Sequence, residues 1–412
     1  MNSKIETHNN NRQTCKSLWN IELIVLQLIG LKSLREAFGR EKYHSASFGE
    51  KFMCSLGVTV FIIYVFSGFW TLHLVGYEDI SYAAEVITVI LSATMCMIKG
   101  LTLSFHRRQL FVILRDLNIL WKDARTRKNL SFEINELIDS SKPARYCYMF
   151  AAISVGLSYG LRPYYLLMGH YLHTNNSTID YSATVYPLLY PFPYHSFISY
   201  NLCLIYEQCV NYFAVFYWIS CDTIFIQLTT HICIHLLVLG DDFNFRPQND
   251  IKVMNYSNSE RVIALSKKHR HILGMCKQVE KLFNPIVFFT ILFNGLDLCC
   301  CIFTLDKELS EGHWPKFARS VAHAMTLLIQ IIIYCNFAHR ATELTKNIAD
   351  SIYNSQWINY DKKVQKLLMI TMMRANKEYK FMAYGLLNLD REQMTRIFKT
   401  TGSYIALLRS FS

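Results

Sequence analysis

The number of membrane spans predicted for this chain depends on its last residues, RIFKTTGSYIALLRSFS (Arg396–Ser412). The stretch is too polar for an ordinary lipid-facing span and too apolar for a solvated tail. If it crosses a membrane, the chain has seven spans and its two ends lie on opposite sides. If it does not cross, six spans remain and both ends lie on the same side. The composition and charge of the preceding residues bear on this choice.

The composition is that of a helical membrane protein with several spans. Of the 412 residues, 52% are hydrophobic and only 18% are charged, whereas soluble domains carry about 25% charged residues. The mean hydropathy is +0.16. Glycine and proline are scarce, with 16 and 8 residues. The sequence therefore predicts an all-α fold of long helices rather than several soluble domains.

Several classes of function find no support in the sequence. The net charge of +11 does not indicate nucleic-acid binding, because the basic residues flank apolar runs and form no patch of their own. Most of the 13 cysteines lie inside apolar segments, where cysteine behaves as a small hydrophobe. His231 and His235 lie four residues apart, but no second pair of ligands accompanies them. We expect no enzyme activity, no cofactor and no metal site, since no catalytic or nucleotide-binding motif occurs.

Five segments have the length and composition of membrane spans, which need roughly 20 apolar residues in a helix. They are Met53–Val75, Val86–Phe105, Tyr146–Met168, Leu282–Phe303 and Arg319–Phe337. A further apolar region, Phe197–Leu239, is long enough for two spans or for one helix that continues beyond the bilayer.

The distribution of Lys and Arg decides between these alternatives, because such residues near span ends stay cytoplasmic. The segments before Met53 and at 105–145, 231–281 and 339–390 contain 33 of them, against 3 in 76–83, 169–196, 304–317 and 405–412. Splitting Phe197–Leu239 into two spans would put the basic segment 231–281 outside. The charges therefore predict one long helix there and a cytoplasmic N-terminus. They also place 169–196 outside, where Asn175 and Asn176 are overlapping glycosylation acceptors.

Charged residues inside predicted spans are candidates for function, among them Lys99, Arg162 and Asp297. Lys99 lies near the cytoplasmic end of its span, where a structural role at the interface is expected. Arg162 and Asp297 lie towards the outer ends of theirs, so they either pair with each other or face a water-filled cavity. Aromatic and small residues also concentrate in the outer halves, as an apolar cavity for a small volatile ligand requires: Ser158, Tyr159, Gly160, Tyr164, Tyr200, Tyr206 and Phe293.

The C-terminal third resembles the insect odorant receptor family. The positions that match the family pattern are Trp357, Met373, Arg374, Gly385, Leu389, Phe398, Ser403, Tyr404, Leu407 and Leu408. Upstream, YPFPYHSFISYNLCLIYEQ (Tyr190–Gln208) resembles the second outer loop of the family and the start of its fourth span. The chain does not have the length or the large second cytoplasmic loop of the family's co-receptor, so it resembles an odour-tuning subunit.

This resemblance implies an architecture and an activity. It implies seven transmembrane helices, a cytoplasmic N-terminus and an extracellular C-terminus, in a tetrameric, odorant-gated, non-selective cation channel that includes the co-receptor. Residues 1–52 would be a cytoplasmic segment, 53–338 would hold spans 1–6 and the odorant pocket, 339–392 would be cytoplasmic anchor helices, and 393–412 would be the pore helix. The expected location is the plasma membrane of an olfactory neuron dendrite or cilium.

The resemblance also implies residue roles. The odorant pocket is expected at Val89, Ser158, Tyr159, Arg162, Tyr200, Leu204, Phe293 and Met325. The gate is expected at Leu407, Ser410 and Phe411, although a fixed charge at Arg409 departs from what a cation pore requires. Two alternatives remain, a gustatory-type ligand-gated channel of the same fold and a G-protein-coupled receptor. The usual ending of the former is absent here, and the latter needs an extracellular N-terminus.

Overall fold

The computed structural model describes residues 14–75, 80–174, 181, 183–194, 196–244 and 254–409. Most of these residues are helical, and two 3₁₀ turns occur at Lys32–Phe38 and Trp357–Asn359. The α-helices of this part of the chain are α1 (Cys15–Leu18), α2 (Asn20–Leu28), α3 (Phe48–Val75), α4 (Ile80–Phe105), α5 (Arg107–Thr126), α6 (Ser131–Gly160), α7 (Arg162–Thr174), α8 (Phe197–Phe243), α9 (Met254–Ser310), α10 (Trp314–Asn354), α11 (Lys362–Ala375) and α12 (Arg391–Arg409).

Five of the described helices, α3, α4, α8, α9 and α10, are long and apolar enough to cross a membrane. Helices α6 and α12 fall outside this set. In α6, Tyr, Ser and Gly residues lie between the apolar ones and lower the mean hydropathy, and α12 is polar over most of its length. The all-α architecture expected from the composition is confirmed.

Helix α8 is the central element of the bundle. It is one continuous helix of 47 residues, about 70 Å long at 1.5 Å per residue, as the charge distribution predicted. From Tyr217 to Leu236 every residue is buried, because α4, α6, α9 and α10 all pack around it. A helix that is apolar on all faces is stable only in such a position.

Two predicted boundaries differ from the structure. The predicted span Tyr146–Met168 is broken, since α6 ends at Gly160 and α7 begins at Arg162. Pro163 explains the break, because it has no N–H to donate to the carbonyl four residues earlier. The predicted boundary between residues 338 and 339 falls inside α10, which runs unbroken from Trp314 to Asn354.

A short β-hairpin joins α11 to α12 in a region, 339–392, where only anchor helices were expected. Strands β1 (Met382–Ala383) and β2 (Leu387–Asn388) pair antiparallel. Tyr384 and Gly385 both have positive φ, 50° and 70°, as a tight hairpin turn of the primed type requires. The hairpin therefore sets the direction in which α12 leaves the bundle.

The hairpin is fastened to α9 by hydrogen bonds. The Glu280 carboxylate accepts bonds from the Tyr379 hydroxyl (2.8 Å) and the Met382 N–H (3.3 Å). The Asn284 side chain accepts from the Tyr384 N–H (3.1 Å). Burial, together with the bond to Glu280, raises the pKa of Tyr379, so this hydroxyl stays a donor at neutral pH.

Candidate ligand cavity

A cavity lies between α3, α4, α6, α8 and α10, near the end of the bundle that the segment 183–194 covers. Its free volume is about 60 Å³, which is small beside the roughly 300–1,000 Å³ of typical small-molecule sites. Most of its lining is aliphatic or aromatic, and the residues are Phe61, Tyr64, Thr88, Val89, Ser92, Ala93, Cys96, Ala152, Val155, Gly156, Tyr159, Tyr186, Val210, Asn211, Ala214, Val215, Trp218 and His323.

Glycines of α6 allow it to approach α8 closely beside the cavity. A Cβ at Gly156 would lie 2.3 Å from the Val215 side chain, so no larger residue fits there without a shift. Amides of α8 bind the backbone of α6, because the Asn211 and Gln208 side chains donate to the carbonyls of Gly156 (2.9 Å) and Gly160 (2.8 Å). These bonds satisfy carbonyls at the end of α6 and fix one wall of the cavity.

The segment 183–194, here named the cover segment, closes the cavity end of the bundle. Its central contact is the fully buried Glu207 of α8, whose carboxylate accepts from the Val185 N–H (2.7 Å) and the Tyr190 hydroxyl (2.8 Å). Thr71 of α3 accepts from the Leu189 N–H (2.8 Å). The cover segment is thus held by buried polar bonds, which are sensitive to the loss of a partner.

Arg162 of α7 also holds the cover segment. Its guanidinium donates to the carbonyls of Thr184 (3.2 Å) and Val185 (3.4 Å). Asp297 lies elsewhere and bonds to Ser92 and His323. The expectation that Arg162 and Asp297 pair with each other is therefore wrong.

One wall of the cavity is polar. The Asp297 carboxylate accepts from the Ser92 hydroxyl (3.1 Å), lies 3.1 Å from Nε2 of His323, and accepts weakly from the Cys301 thiol (3.7 Å). Asp297, Cys301 and His323 are all buried. The atoms of these side chains that could bind a metal ion lie within 4.8 Å of one another. Such a set could also hold a metal ion, but the hydrogen bonds within it already satisfy these atoms.

A buried ionic cluster lies one helical turn from the cavity, beyond Cys96 and Trp218. Lys99 of α4 and Asp222 of α8 are both fully buried, and the ammonium lies 2.8 and 2.9 Å from the two carboxylate oxygens. The structural role expected for Lys99 takes the form of a buried ion pair rather than a position at the membrane interface, and Asp222 compensates the charge in the protein interior.

The same carboxylate gathers donors from two further helices. Tyr148 of α6 and Tyr334 of α10 donate their hydroxyls to Asp222, and Gln330 of α10 donates its amide at 2.7 Å. Asn294 of α9 donates in turn to the Gln330 carbonyl oxygen (2.8 Å). Helices α4, α6 and α10 are thus bonded directly to one buried carboxylate of α8, and α9 is linked to it through Gln330.

The structure brings two of the eight predicted pocket residues, Val89 and Tyr159, into the cavity lining. The other six lie outside the lining. Arg162 and Tyr200 bond to the cover segment, the latter through Ala183 (2.7 Å). Ser158 donates to the carbonyl of Val155 (2.7 Å) within its own helix.

The remaining three predicted pocket residues pack elsewhere. Leu204 and Phe293 are half-buried against the hydrophobic core, and the side chain of Met325 is 51% exposed. Leu407 lies in α12. The predicted gate residues Ser410 and Phe411 and the glycosylation acceptors Asn175 and Asn176 lie outside the described residues.

Sequence reasoning missed the polar wall. Ser92, Asp297 and His323 come from three helices and are separated by more than two hundred residues at the extremes, so no local motif joins them. Two features of the sequence point to this wall: the charge of Asp297 inside a predicted span, and the apolar sequence around His323. No sequence feature distinguishes Tyr64 and Trp218 as cavity residues, because aromatic residues are common throughout the spans.

These features define a class of protein: a multi-pass helical membrane protein with a covered apolar cavity between its helices. The profile of the 7tm Odorant receptor family matches residues 79–402. The chain belongs to this family, which is a family of receptors and not of enzymes. The match favours the odorant receptor interpretation over the gustatory and G-protein-coupled alternatives.

Known relatives and a solved structure agree with this assignment. The chain is 26% identical to Odorant receptor 47a of Drosophila melanogaster over 236 residues, which is 55% of this chain and 58% of the relative. It is 25% identical to Odorant receptor 22c of the same species over 158 residues, which is 38% of each chain. These alignments span less than two thirds of the relatives' length.

The fold resembles that of the insect olfactory receptor OR5 from Machilis hrabei, solved in complex with eugenol. The TM-score is 0.74 at 15% sequence identity, and the superposition covers 96% of this chain and all of OR5. A second structure of OR5 gives a TM-score of 0.77 at 16% identity. At such low sequence identity, the comparison shows that the two proteins share the arrangement of their helices.

Proposed function

We propose that this chain is an odour-tuning subunit of an odorant-gated, non-selective cation channel, and that a small volatile odorant binds in the cavity. The covered apolar cavity, in a chain of the odorant receptor family, is the observation that supports this most. Its lining has few polar atoms, as a small apolar ligand needs. Bonds between the cover segment and α8 would keep the bound ligand away from bulk water.

The topology that goes with this function has seven spans in the plasma membrane of an olfactory neuron dendrite. Residues 1–52 and 339–392 lie in the cytoplasm, 53–338 hold the first six spans, and 393–412 form the pore helix. The clustering of Lys and Arg supports this orientation. It puts the cover segment and the mouth of the cavity on the outer side.

Gating is assigned to the last helix. Leu407 and Phe411 are four residues apart, which is the spacing of residues on one helix face, and Ser410 is their polar neighbour in the sequence. A ring of apolar side chains closes a pore by excluding water. The ring requires further subunits, which the co-receptor supplies in a heterotetramer.

Co-expression of this chain with the co-receptor in oocytes is expected to give odorant-evoked cation currents, whereas this chain alone gives none. Leu407→Ala is expected to raise the basal current or change ion selectivity, because it shortens the apolar ring. Leu386→Ala is the matched control, since Leu386 is 73% exposed at the hairpin turn. A broad volatile panel recorded by two-electrode voltage clamp provides the measurement.

Two results would contradict the proposal. Currents of equal size without the co-receptor would contradict the heteromeric assignment. A Leu407→Ala channel with unchanged basal current and selectivity would remove the gate from this helix.

Glycan mapping tests the orientation independently of currents. Asn175 and Asn176 are expected to carry one N-linked glycan, so glycosidase treatment of the wild-type chain increases its gel mobility. The double substitution Asn175→Gln/Asn176→Gln is expected to abolish that shift. Asn129→Gln and Asn255→Gln are the controls, because both sequons lie in segments assigned to the cytoplasm. A glycan on Asn129 or Asn255 instead would invert the topology.

A further inference from the structure

A basic groove lies between α1, the 3₁₀ turn Lys32–Phe38 with the residues that follow it, and α5. Its free volume is about 950 Å³, which is at the upper end of the range for small-molecule sites. The groove has one acidic side chain, that of Glu41, and five cationic ones: Lys16, Arg40, Arg115, Lys122 and Arg125. A concave surface with such an excess of positive charge attracts anions.

The sequence of α5 explains why its basic residues share one wall of the groove. Arg115, Lys122 and Arg125 recur at intervals of seven and three residues, which puts them on one face of the helix. Ile113 and Leu117 lie on the opposite face and are fully buried in the core. Burial of the apolar face thus turns the basic face outward.

Hydrogen bonds hold the other wall of the groove against α5. The Arg115 guanidinium donates to the carbonyl of Glu41 (3.0 Å), and the Asn118 amide donates to the carbonyl of Phe38 (3.4 Å). Both carbonyls belong to the end of the 3₁₀ turn and the residues after it. The groove is therefore a built site between three segments of the chain.

Much of the positive charge in the groove is available to a ligand. The side chains of Lys16 and Lys122 are exposed, and neither has an acidic partner among the described residues. Arg40 pairs with Glu36 at 2.9 Å on the surface, and an exposed pair of this kind contributes little. An anion in the groove would therefore meet cations that no strong internal pair holds back.

A second groove extends the positive charge to the start of the first long apolar helix. It shares Lys16 and Arg40 with the basic groove, adds Lys32 and Arg35, and reaches Glu50 in the first turn of α3. The Glu50 carboxylate already accepts from two backbone N–H groups, at 2.6 and 2.9 Å. The basic surface is thus continuous from α5 to the N-terminal end of α3.

Exposed apolar side chains lie beside this surface. Phe48 and Phe52, in the first two turns of α3, are 84% and 57% exposed, and Ile119 on the basic face of α5 is 56% exposed. In the proposed orientation this end of α3 is at the inner leaflet. Acyl chains beside the groove would cover apolar surface that a soluble anion leaves in water.

We propose that the basic groove binds the headgroup of a multiply phosphorylated inositol lipid of the inner leaflet. Phosphate oxygens accept charge-assisted hydrogen bonds from Lys and Arg, and a headgroup with one net charge would use few of the five cations. Residues 1–13 are not a complementary occupant, since they contain Lys4 and Arg12 against Glu6. The inference rests on the proposed function for placing the groove on the cytoplasmic side.

Competition binding tests the ligand class and its source. The purified full-length chain in detergent is mixed with fluorescent dioctanoyl phosphatidylinositol bisphosphate, and anisotropy is recorded as unlabelled competitors are added. The unlabelled bisphosphate lipid is expected to displace the probe at about 10-fold lower concentration than dioctanoyl phosphatidylserine, which carries less charge. It is expected to exceed soluble inositol trisphosphate by a similar factor, because the latter has no acyl chains.

A double substitution tests the groove itself. Lys16→Gln/Lys122→Gln removes one cation from each of two walls and is expected to weaken binding of the bisphosphate lipid about 10- to 100-fold. Each single substitution is expected to give a loss of about 3- to 10-fold. Lys362→Gln/Lys363→Gln is the matched control, because both residues are exposed at the start of α11 and line neither groove. Equal unfolding temperatures of the variants and the wild type establish that all are folded.

Each outcome either supports the inference or overturns it. Absent binding of the probe, equal displacement by phosphatidylserine or by inositol trisphosphate, or an equal loss in both double variants would overturn it. Selective binding that is lost only in the groove variants supports it, even if co-expression gives no odorant-evoked current. Conversely, currents from a chain that does not bind the bisphosphate lipid would leave the channel proposal standing and overturn the lipid site.

Discussion

Asp222→Leu is expected to destabilise the folded protein by about 3–5 kcal/mol, because it removes one partner of a buried ion pair. In the described structure the Lys99 ammonium has hydrogen bonds to Asp222 alone. The substitution leaves that charge uncompensated in the interior. It also frees the donors of Tyr148, Tyr334 and Gln330. The measurements are thermal unfolding of the purified chain and its abundance at the cell surface.

Lys99→Met is the matched variant and is expected to be milder. Without Lys99, the Asp222 carboxylate keeps three neutral donors, whereas without Asp222 the ammonium keeps none. The double substitution Lys99→Met/Asp222→Leu is expected to be more stable than Asp222→Leu alone, since it removes the uncompensated charge. If Lys99→Met proves at least as damaging as Asp222→Leu, the carboxylate is not the organising group of this cluster.

Glu207→Leu is expected to release the cover segment. The Val185 N–H and the Tyr190 hydroxyl both lose their acceptor, and each unpaired buried group costs about 1–3 kcal/mol. Hydrogen–deuterium exchange at the Val185 amide is expected to become about 10- to 100-fold faster, because local opening requires less free energy. Odorant-evoked currents are expected to fall with it.

Glu207→Gln provides the intermediate case. Its amide keeps one carbonyl acceptor and the size of the side chain, so exchange at Val185 is expected to lie between the wild type and Glu207→Leu. Asn201→Leu is the control on the same helix, as Asn201 is half-buried and its amide donates to the Phe197 carbonyl one turn earlier. Unchanged exchange in Glu207→Leu would mean that Arg162 and Thr71 hold the cover segment without Glu207.

The sequence predicted the parts of this fold that depend on length and charge. It predicted a single long helix at Phe197–Leu239, which in the structure extends to Phe243, because the alternative would have moved a basic segment across the membrane. It could not predict that Asp222 pairs with Lys99, since the two residues lie more than a hundred positions apart and no local pattern links them. Intramembrane charge was therefore noticed, but its compensation was not.

The sequence predicted that an apolar cavity is present, but it identified few of the residues that line it. Aromatic and small residues near the ends of the spans indicated an apolar pocket, and Val89 and Tyr159 do line it. Arg162 and Tyr200 also lie near the outer ends of their predicted spans, yet they bond to the cover segment instead. The rotation of each helix about its axis decides between these outcomes, and it depends on packing against several neighbours at once.

Helix α9 has a mechanical consequence for the molecule. It carries Asp297 at the polar wall and Glu280 at the hairpin, about 25 Å apart along one stiff rod. Only Pro285 interrupts the ladder of backbone bonds between them, so this is the place where the helix bends most easily. The stiffness of α9 at Pro285 therefore determines how closely the position of the hairpin, and of the first turn of α12, depends on the tilt of the helix at the cavity.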